Sequence, residues 1–403
     1  MLIAPSLIPA PAHAEPAPSY RELLRASVDN APILLEQAAS LRAARGDARQ
    51  ARAWANPAIG VEFENIAGTS ANNSPSTPQS TFSVTQPLEL AQRGPRIAAG
   101  DAALRAAEAH GAQVRVDYAA QLALAYAGAE AMQQRLQLAE EDVARAREDM
   151  KAASALVEAG KEARLRVAQA QASLSAAMAA REAAQAELTG ALADLSALAG
   201  VGQAYTSVPS SLLAQEDARA PLMGPGEGAS PAVAAAQAER DAIAAQVRVE
   251  RSKVIPDIAL SGGVRRYGGS SETGFVLGVS TTIPLFNQNR GGIAAAQARR
   301  DAADQRLAAA RLTADAMRSK ALAQVGAASA RLKAAGEGEA AAGEAYRLAR
   351  IGYDSGKTAL IELLTLRRAL LDAKALTIDA RLARISALAT LARVDGHLAF
   401  GDL

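Results

Sequence analysis

In 403 residues the chain sets 43 lysines and arginines against 42 aspartates and glutamates, with no cysteine and an aromatic content of 3%. The charge balance leaves no basic field to hold nucleic acid. The lack of cysteine excludes disulfides, thiolate metal sites, a cysteine nucleophile and a lipid on an N-terminal cysteine. Half of the residues are hydrophobic, mostly alanine, which favours helix and close helix approach but buries little area per residue. Long, thin, closely packed helices are expected rather than a globule.

The first residues, MLIAPSLIPAPAHAEP, hold a short apolar run and the small-residue pattern Ala12-His13-Ala14. They are expected to be the remnant of a secretory signal (1–14), without its basic start. No later stretch reaches the ~18 uninterrupted apolar residues of a spanning helix. If the chain crosses a membrane, it must do so with strands.

A helical pattern over Ser19–Trp54, broken near Asn30-Ala31-Pro32, ends at Asn56-Pro57; its counterpart Ser230–Val254 ends at Ile255-Pro256. Four segments of alternating character follow the two prolines, at about 58–66 and 80–88, and at about 257–266 and 274–283. Each has roughly the 9–11 residues a tilted strand needs to cross a bilayer. Two half-buried hairpins in a soluble sheet remain the other reading of these strands alone. The connections Ala67–Gln79 and Tyr267–Thr273 are polar and rich in turn residues, as exposed hairpin loops are.

Both second strands run to a Pro-Leu and then an Arg-Gly: Pro87, Arg93 and Gly94 in the first half, Pro284, Arg290 and Gly291 in the second. Proline removes a ladder donor and marks where pairing must stop. Arg93, Arg96 and Arg290 at these junctions fit either a membrane boundary or intersubunit pairing. Helical runs of about 60 residues follow, Ile97–Val157 and Ile293–Tyr353, on the order of 90 Å at 1.5 Å per residue. Leu136, Val143, Met150 and Val157 recur every seven residues as a coiled-coil seam. Glycine-bearing turns come next, at 158–162 and 354–358, with Gly160 and Gly356 where a left-handed cap is expected. The returning helices carry Leu188, Leu192 and Leu195, and Ile378, Leu382 and Ile385.

The halves are a duplication. Pro231 follows Pro32, and Pro256 follows Pro57, by 199 residues; Pro284 follows Pro87, and Gly291 follows Gly94, by 197; Gly356 follows Gly160, and Gly396 follows Gly200, by 196. The expected organisation is a first repeat over 19–200 with its helical hairpin at 97–199, a Pro/Gly-rich linker over 201–229, and a second repeat over 230–398 with its hairpin at 293–395. The fold class is mainly α with a small β part, built from a duplicated helix–strand–strand–long helical hairpin unit. Four spanning strands cannot close a barrel, because open edges are not tolerated in lipid and the smallest barrels have about eight strands. Oligomerisation is required, and three copies would give 12 strands.

The stretches TQPLELAQRG, GVRRYGG…TGFVLGVSTTIPLFNQNRGG and RIGYDSGKTALIELLTLRRALLDAK, with the duplication, resemble the outer-membrane efflux protein (TolC) family. The wording IPLFNQNRGG is most similar to CzcC/CusC-type channels of heavy-metal RND efflux systems. The resemblance covers about residues 19–400. It implies a homotrimer with a 12-stranded barrel in outer-membrane lipid, continued by a periplasmic α-helical barrel. It also implies a periplasmic adaptor (membrane fusion protein) and an inner-membrane RND pump as partners. The tips, here Gly160, Lys161, Gly356, Lys357 and Thr358, would contact the adaptor. Glu362 matches the first acidic position with which the family often constricts its pore; the second is Thr365 here, and the first-repeat counterpart of Glu362 is Arg166. That departure leaves the sign of the gate open, and a solvated glutamate on a helix face is the plain alternative.

No enzyme is expected. His13, His110 and His397 are far apart, and no serine–histidine–acid set, phosphate loop or HExxH pattern is present. No cofactor and no resident metal site are expected, the metal being cargo. A drug or type I protein-secretion channel of the same family would keep every feature listed above. A periplasmic coiled-coil adaptor or structural protein, the alternative of another class, would show one hairpin between halves of other β-domains or lack the four alternating strands.

Overall fold

The computed structural model describes residues 15–66, 77–160, 163–209, 212–213 and 230–401. The signal remnant, most of the first hairpin loop, Lys161 and most of the linker therefore lie outside the described residues. The element order is α1 (Tyr20–Asn30), α2 (Pro32–Arg52), β1 (Ala58–Glu64), β2 (Gln79–Pro87), α3 (Arg93–Glu158), α4 (Arg164–Ala199), α5 (Pro231–Ser252), β3 (Ile258–Tyr267), β4 (Thr273–Thr281), α6 (Arg290–Asp354) and α7 (Leu360–Asp395). The chain divides into two units, one of residues 38–111 with 232–312 and one of 1–37, 112–231 and 313–403.

The first unit carries the sheet, a single antiparallel layer in the order β1-β2-β3-β4. Beside it α2 and α3 pack at close range: a Cβ on Gly100 would stand 2.8 Å from that of Ala51. An ion pair joins the same two helices, Arg52 to Asp101 at 2.7 Å, and the counterpart helices of the second half are joined by Arg240 of α5 to Asp304 of α6 at 2.7 Å. The long helices open at Arg93 and Arg290, not at Ile97 and Ile293 as the sequence suggests. The first turn of a helix has no acceptors for its N–H groups, so Gly94 and Pro95 cost little there. The residues just outside, Glu89 and Asn289, have φ of 42° and 47°.

The second unit is a helical bundle of α1, α4, α7 and the later parts of α3 and α6. Its largest core contains Leu24, Tyr118, Leu122, Tyr126, Leu195 and Ile385, all essentially buried. Tyr20 and Tyr126 meet edge to face at 5.9 Å. The Tyr126 hydroxyl lies 3.2 Å from Pro18 O and 3.1 Å from Pro209 O. The segment after α4 is stitched to α3: Gln133 exchanges two hydrogen bonds with Val208, and the Glu130 carboxylate accepts from Leu212 and Leu213 N–H. Along α6 in this unit the buried residues Ala321, Ala328, Ala335 and Ala349 keep a heptad spacing, so small side chains set how near the neighbouring helix comes. On α3, Val143 is buried, while Leu136 and Met150 are partly so.

Both returning helices end in left-handed glycines, Gly200 with φ 76° and Gly396 with φ 81°. At Gly200 space is also decisive, since a Cβ there would stand 2.1 Å from Asn30 O.

Candidate functional site

The sheet has two chemically distinct faces. Cross-strand register places Ile59 opposite Val84 and Val61 opposite Phe82. Phe82 then faces Val264, Leu260 faces Val279, and Val264 faces Phe275. All of these side chains are exposed, and on β4 Phe275 and Leu277 show 91% and 84% of their surface. The opposite face carries Glu62, Glu64, Thr81, Ser83, Arg265 and Ser280. Toward the end of the sheet where β1 finishes, Arg265 pairs with Glu64 at 2.9 Å and donates to Thr81 Oγ1 at 3.0 Å. A continuous apolar face over four strands has no favourable place in water and fits hydrocarbon, with the polar face turned to a water-filled lumen. The edges are β1 and β4, whose outward peptide groups lack a neighbour within the sheet.

The junction arginines act within the chain. Arg93 stacks on Trp54, with Cζ 4.3 Å from the ring centroid, and donates to Arg52 O at 3.0 Å. Arg96 donates to Ala53 O at 3.1 Å and pairs with Glu89 at 2.6 Å. Both satisfy carbonyls at the end of α2, where a helix leaves its last acceptors free and attracts cations. In the second half Asn289 has that role, donating to Glu250 O at 2.9 Å, while Arg290 binds Gln288. Hydrogen bonds from Lys253 and Asn289 hold the Glu250 carboxyl below its ordinary value.

At the second tip, Gly356 has φ 73°, and the Lys357 and Thr358 N–H groups both donate to Gly352 O, at 2.7 and 3.1 Å. Gly356 and Lys357 are exposed and Thr358 is half-buried. Gly160 has φ 68° and is exposed at the first tip. Glu362 lies in the first turn of α7, exposed, where the helix N-terminus favours its charge. Thr365 follows on the same side, also exposed, its hydroxyl donating to Ile361 O at 2.8 Å. Arg166 holds the matching first-turn position of α4 and is half-buried.

A buried ionic cluster near these turns escapes sequence reasoning. Arg367 of α7 donates to Asp149 of α3 at 2.7 Å and to Ser173 of α4 at 2.6 Å, with Asp142 3.4 Å from its Nε. Arg350 of α6 reaches the other Asp149 oxygen at 3.3 Å. Three helices of the bundle, α3, α4 and α7, thus meet at the Arg367 guanidinium, and α6 joins them through Asp149. Burial pushes the Asp149 carboxyl above its ordinary value, against the pull of Arg367 and Arg350. A signal was present: Leu360, Leu363, Arg367 and Leu370 form one buried stripe of α7, so the arginine interrupts an apolar pattern.

Among the described residues no group of three or more His, Cys, Asp or Glu could hold a metal ion, and no helix is long and apolar enough to cross a membrane. The sheet, with its apolar face and two open edges, is that of a protomer that supplies strands to a shared barrel. The chain belongs to the outer membrane efflux protein family, whose model matches residues 23–201 and 227–397; it is a channel component and not an enzyme. It is 52% identical over 387 residues to the nickel-cobalt-cadmium resistance protein NccC of Alcaligenes xylosoxydans xylosoxydans, covering 96% of this chain and 88% of that one. It is 53% identical over 391 residues to the nickel and cobalt resistance protein CnrC of Cupriavidus metallidurans, covering 97% and 93%. Among solved structures, CusC superposes with a TM-score of 0.80 at 17% identity, covering 94% of each chain. The outer-membrane channel OprN gives 0.76 at 23%, covering 93% of this chain and 89% of that one.

Proposed function

We propose that this chain is the outer-membrane channel of a tripartite RND-type efflux system that carries heavy-metal cations from the periplasm to the exterior. The observation that carries the reading is the four-stranded sheet with an apolar outer face and two open edges. Such a sheet is tolerated in lipid only when closed into a barrel. Three copies supply 12 strands, and the helical hairpins continue the lumen as a periplasmic tunnel. Each repeat, 19–200 and 230–398, contributes one strand hairpin and one helical hairpin. The tips at Gly160-Lys161 and Gly356-Lys357-Thr358 dock on a periplasmic adaptor, which joins the channel to an inner-membrane pump.

Metal cargo is supported by the relatives more than half identical to this chain, which are named for nickel, cobalt and cadmium resistance. Hydrated cations need a wide polar path rather than a ligand cage, and the tunnel acts on them by its field. Light scattering of the detergent-purified protein should give three copies per particle, and planar bilayers should show discrete conductance. A strain lacking the chain should lose tolerance to nickel, cobalt or cadmium and keep its tolerance to drugs. The reverse pattern would overturn the cargo, and a monomer without conductance would overturn the channel.

A further inference from the structure

The internal duplication extends to the hydrogen-bond register of the sheet. Ile59 pairs with Val84, and positions 199 and 197 residues later, Ile258 and Thr281, pair as well. Val61 with Phe82 maps in the same way onto Leu260 with Val279. The two hairpins are therefore copies down to the residue, and the β2–β3 junction within one chain is a template for the junction between two chains. On that template Gln86 pairs with Leu260, Thr85 with Ser261, and Ser83 with Gly263.

We propose that β4 pairs with β1 of a neighbouring copy in one register, with Ile283 opposite Val61, Thr282 opposite Glu62 and Ser280 opposite Glu64. This rests on the trimeric reading above and goes beyond it by fixing how the barrel is joined. The alternation of faces agrees: Thr282, Ser280, Glu62 and Glu64 all fall on the polar side, and Ile283 and Val61 on the apolar side. A slip by one residue would invert that match, so only slips by two compete.

One pair of equivalent amides shows the difference between a joined and a free edge. Leu88 N–H donates across to Ile258 O at 2.9 Å, whereas Leu285, 197 residues on, donates to its own Ile283 O at 2.9 Å in a three-residue turn. In the assembled barrel Leu285 N–H takes Ile59 O of the neighbour, and β4 lengthens past Thr281 as β2 already runs to Pro87. Pro284 does not interrupt this. Residues of β4 alternate between the two neighbouring strands, and Leu285 and Ile283 face the new partner while Pro284 faces β3, beyond the end of β3 pairing.

The chain has no cysteine, so paired cysteines report the register directly. Within one copy β1 and β4 are three strand spacings apart, about 14 Å, too far for a disulfide, so any cross-link joins two copies. Thr282→Cys with Glu62→Cys is expected to give covalent dimers and trimers under mild oxidation. Ser280→Cys with Glu62→Cys, and Thr282→Cys with Glu64→Cys, report slips of two residues in the two directions and should react about tenfold more slowly. Faster linking by either slipped pair overturns the register, and a trimer that no pair links overturns β4–β1 joining. A monomer by light scattering overturns the trimeric reading itself, a failure distinct from both. Amide exchange on the unaltered trimer gives an independent check: slow exchange at Ile283 and Leu285 is expected, and fast exchange at both overturns the pairing.

Discussion

Arg367 and Asp149 meet at 2.7 Å between α7 and α3, with 5% and 4% of their side chains exposed. Removing one member of such a pair leaves the other charge buried and costs about 3–5 kcal/mol. Arg367→Met is therefore expected to lower the melting temperature of the detergent-solubilised protein strongly at neutral pH. Burial already raises the Asp149 carboxyl, and loss of the guanidinium raises it further. A carboxyl with a raised folded value destabilises the fold above that value and ceases to do so as pH falls through it. The Arg367→Met defect should thus shrink on acidification, and Asp149→Asn added to Arg367→Met should relieve it at neutral pH. A defect independent of pH and of Asp149 would show that lost packing is the cause.

The duplication was legible because proline and glycine punctuate the chain: Pro57, Pro87, Gly160 and Gly200 each recur at nearly constant offset. The strands were legible because their period of two, set by Ile59, Val61 and Phe63, survives where both faces have work to do. Helix starts were not, since a first turn accepts Gly94 and Pro95 without signalling where hydrogen bonding begins. The arginine cluster was missed because its partners lie 218 residues apart and a single arginine on a helix reads as solvated. The junction arginines leave two readings open, and the bonds of Arg93 and Arg96 to the end of α2 add a local role that sequence pattern does not reveal.

The apolar face predicts a sharp asymmetry between the two faces of β4. Leu277 is exposed on the lipid side, and arginine there should cost about 2–4 kcal/mol near the bilayer midplane. Leu277→Arg is expected to reduce the yield of trimer in the outer-membrane fraction, while Ser280→Arg, on the lumen side, should assemble and alter conductance. Equal loss of assembly in both would mean that the face assignment is wrong.

Glu362 is exposed in the first turn of α7, two residues beyond Leu360, which the core buries. Three such carboxylates converging on a narrow, wet throat would attract cations and repel anions. Glu362→Ala should lower cation preference in planar bilayers several-fold, and Glu362→Lys should move it toward anions, more so at low salt, where screening is weak. Unchanged selectivity in both variants would take Glu362 out of the pore.

Two left-handed glycines separate conformational strain from lack of room. Gly160 has φ 68° and, among the described residues, nothing within 4 Å of where its Cβ would stand, so Gly160→Ala should cost only the left-handed penalty of about 1–2 kcal/mol. Gly200 has φ 76°, and its Cβ would collide with Asn30 O, so Gly200→Ala should cost clearly more and disturb the turn between α1 and α2. Denaturation of the two variants side by side checks the ranking, and equal costs would mean that the Asn30 carbonyl moves aside freely.

Tyr20 gives the fold an alkaline limit. Its hydroxyl lies 2.5 Å from Ala399 O and 3.1 Å from Ala119 O, so it joins α1, α3 and the C-terminal segment. Burial pushes its ionisation well above the ordinary tyrosine range, with Tyr118 adding to the effect. The folded value lies above the unfolded one of about 10, so the contribution is complete below pH ~10 and is lost as pH rises beyond it. Tyr20→Phe should cost about 1 kcal/mol at neutral pH through the lost hydrogen bond and should flatten the fall of stability above pH ~10. Tyrosinate absorbance followed through an alkaline titration checks this. Wild type should show a fraction of its seven tyrosines ionising only as the protein unfolds, and that fraction should shrink in Tyr20→Phe.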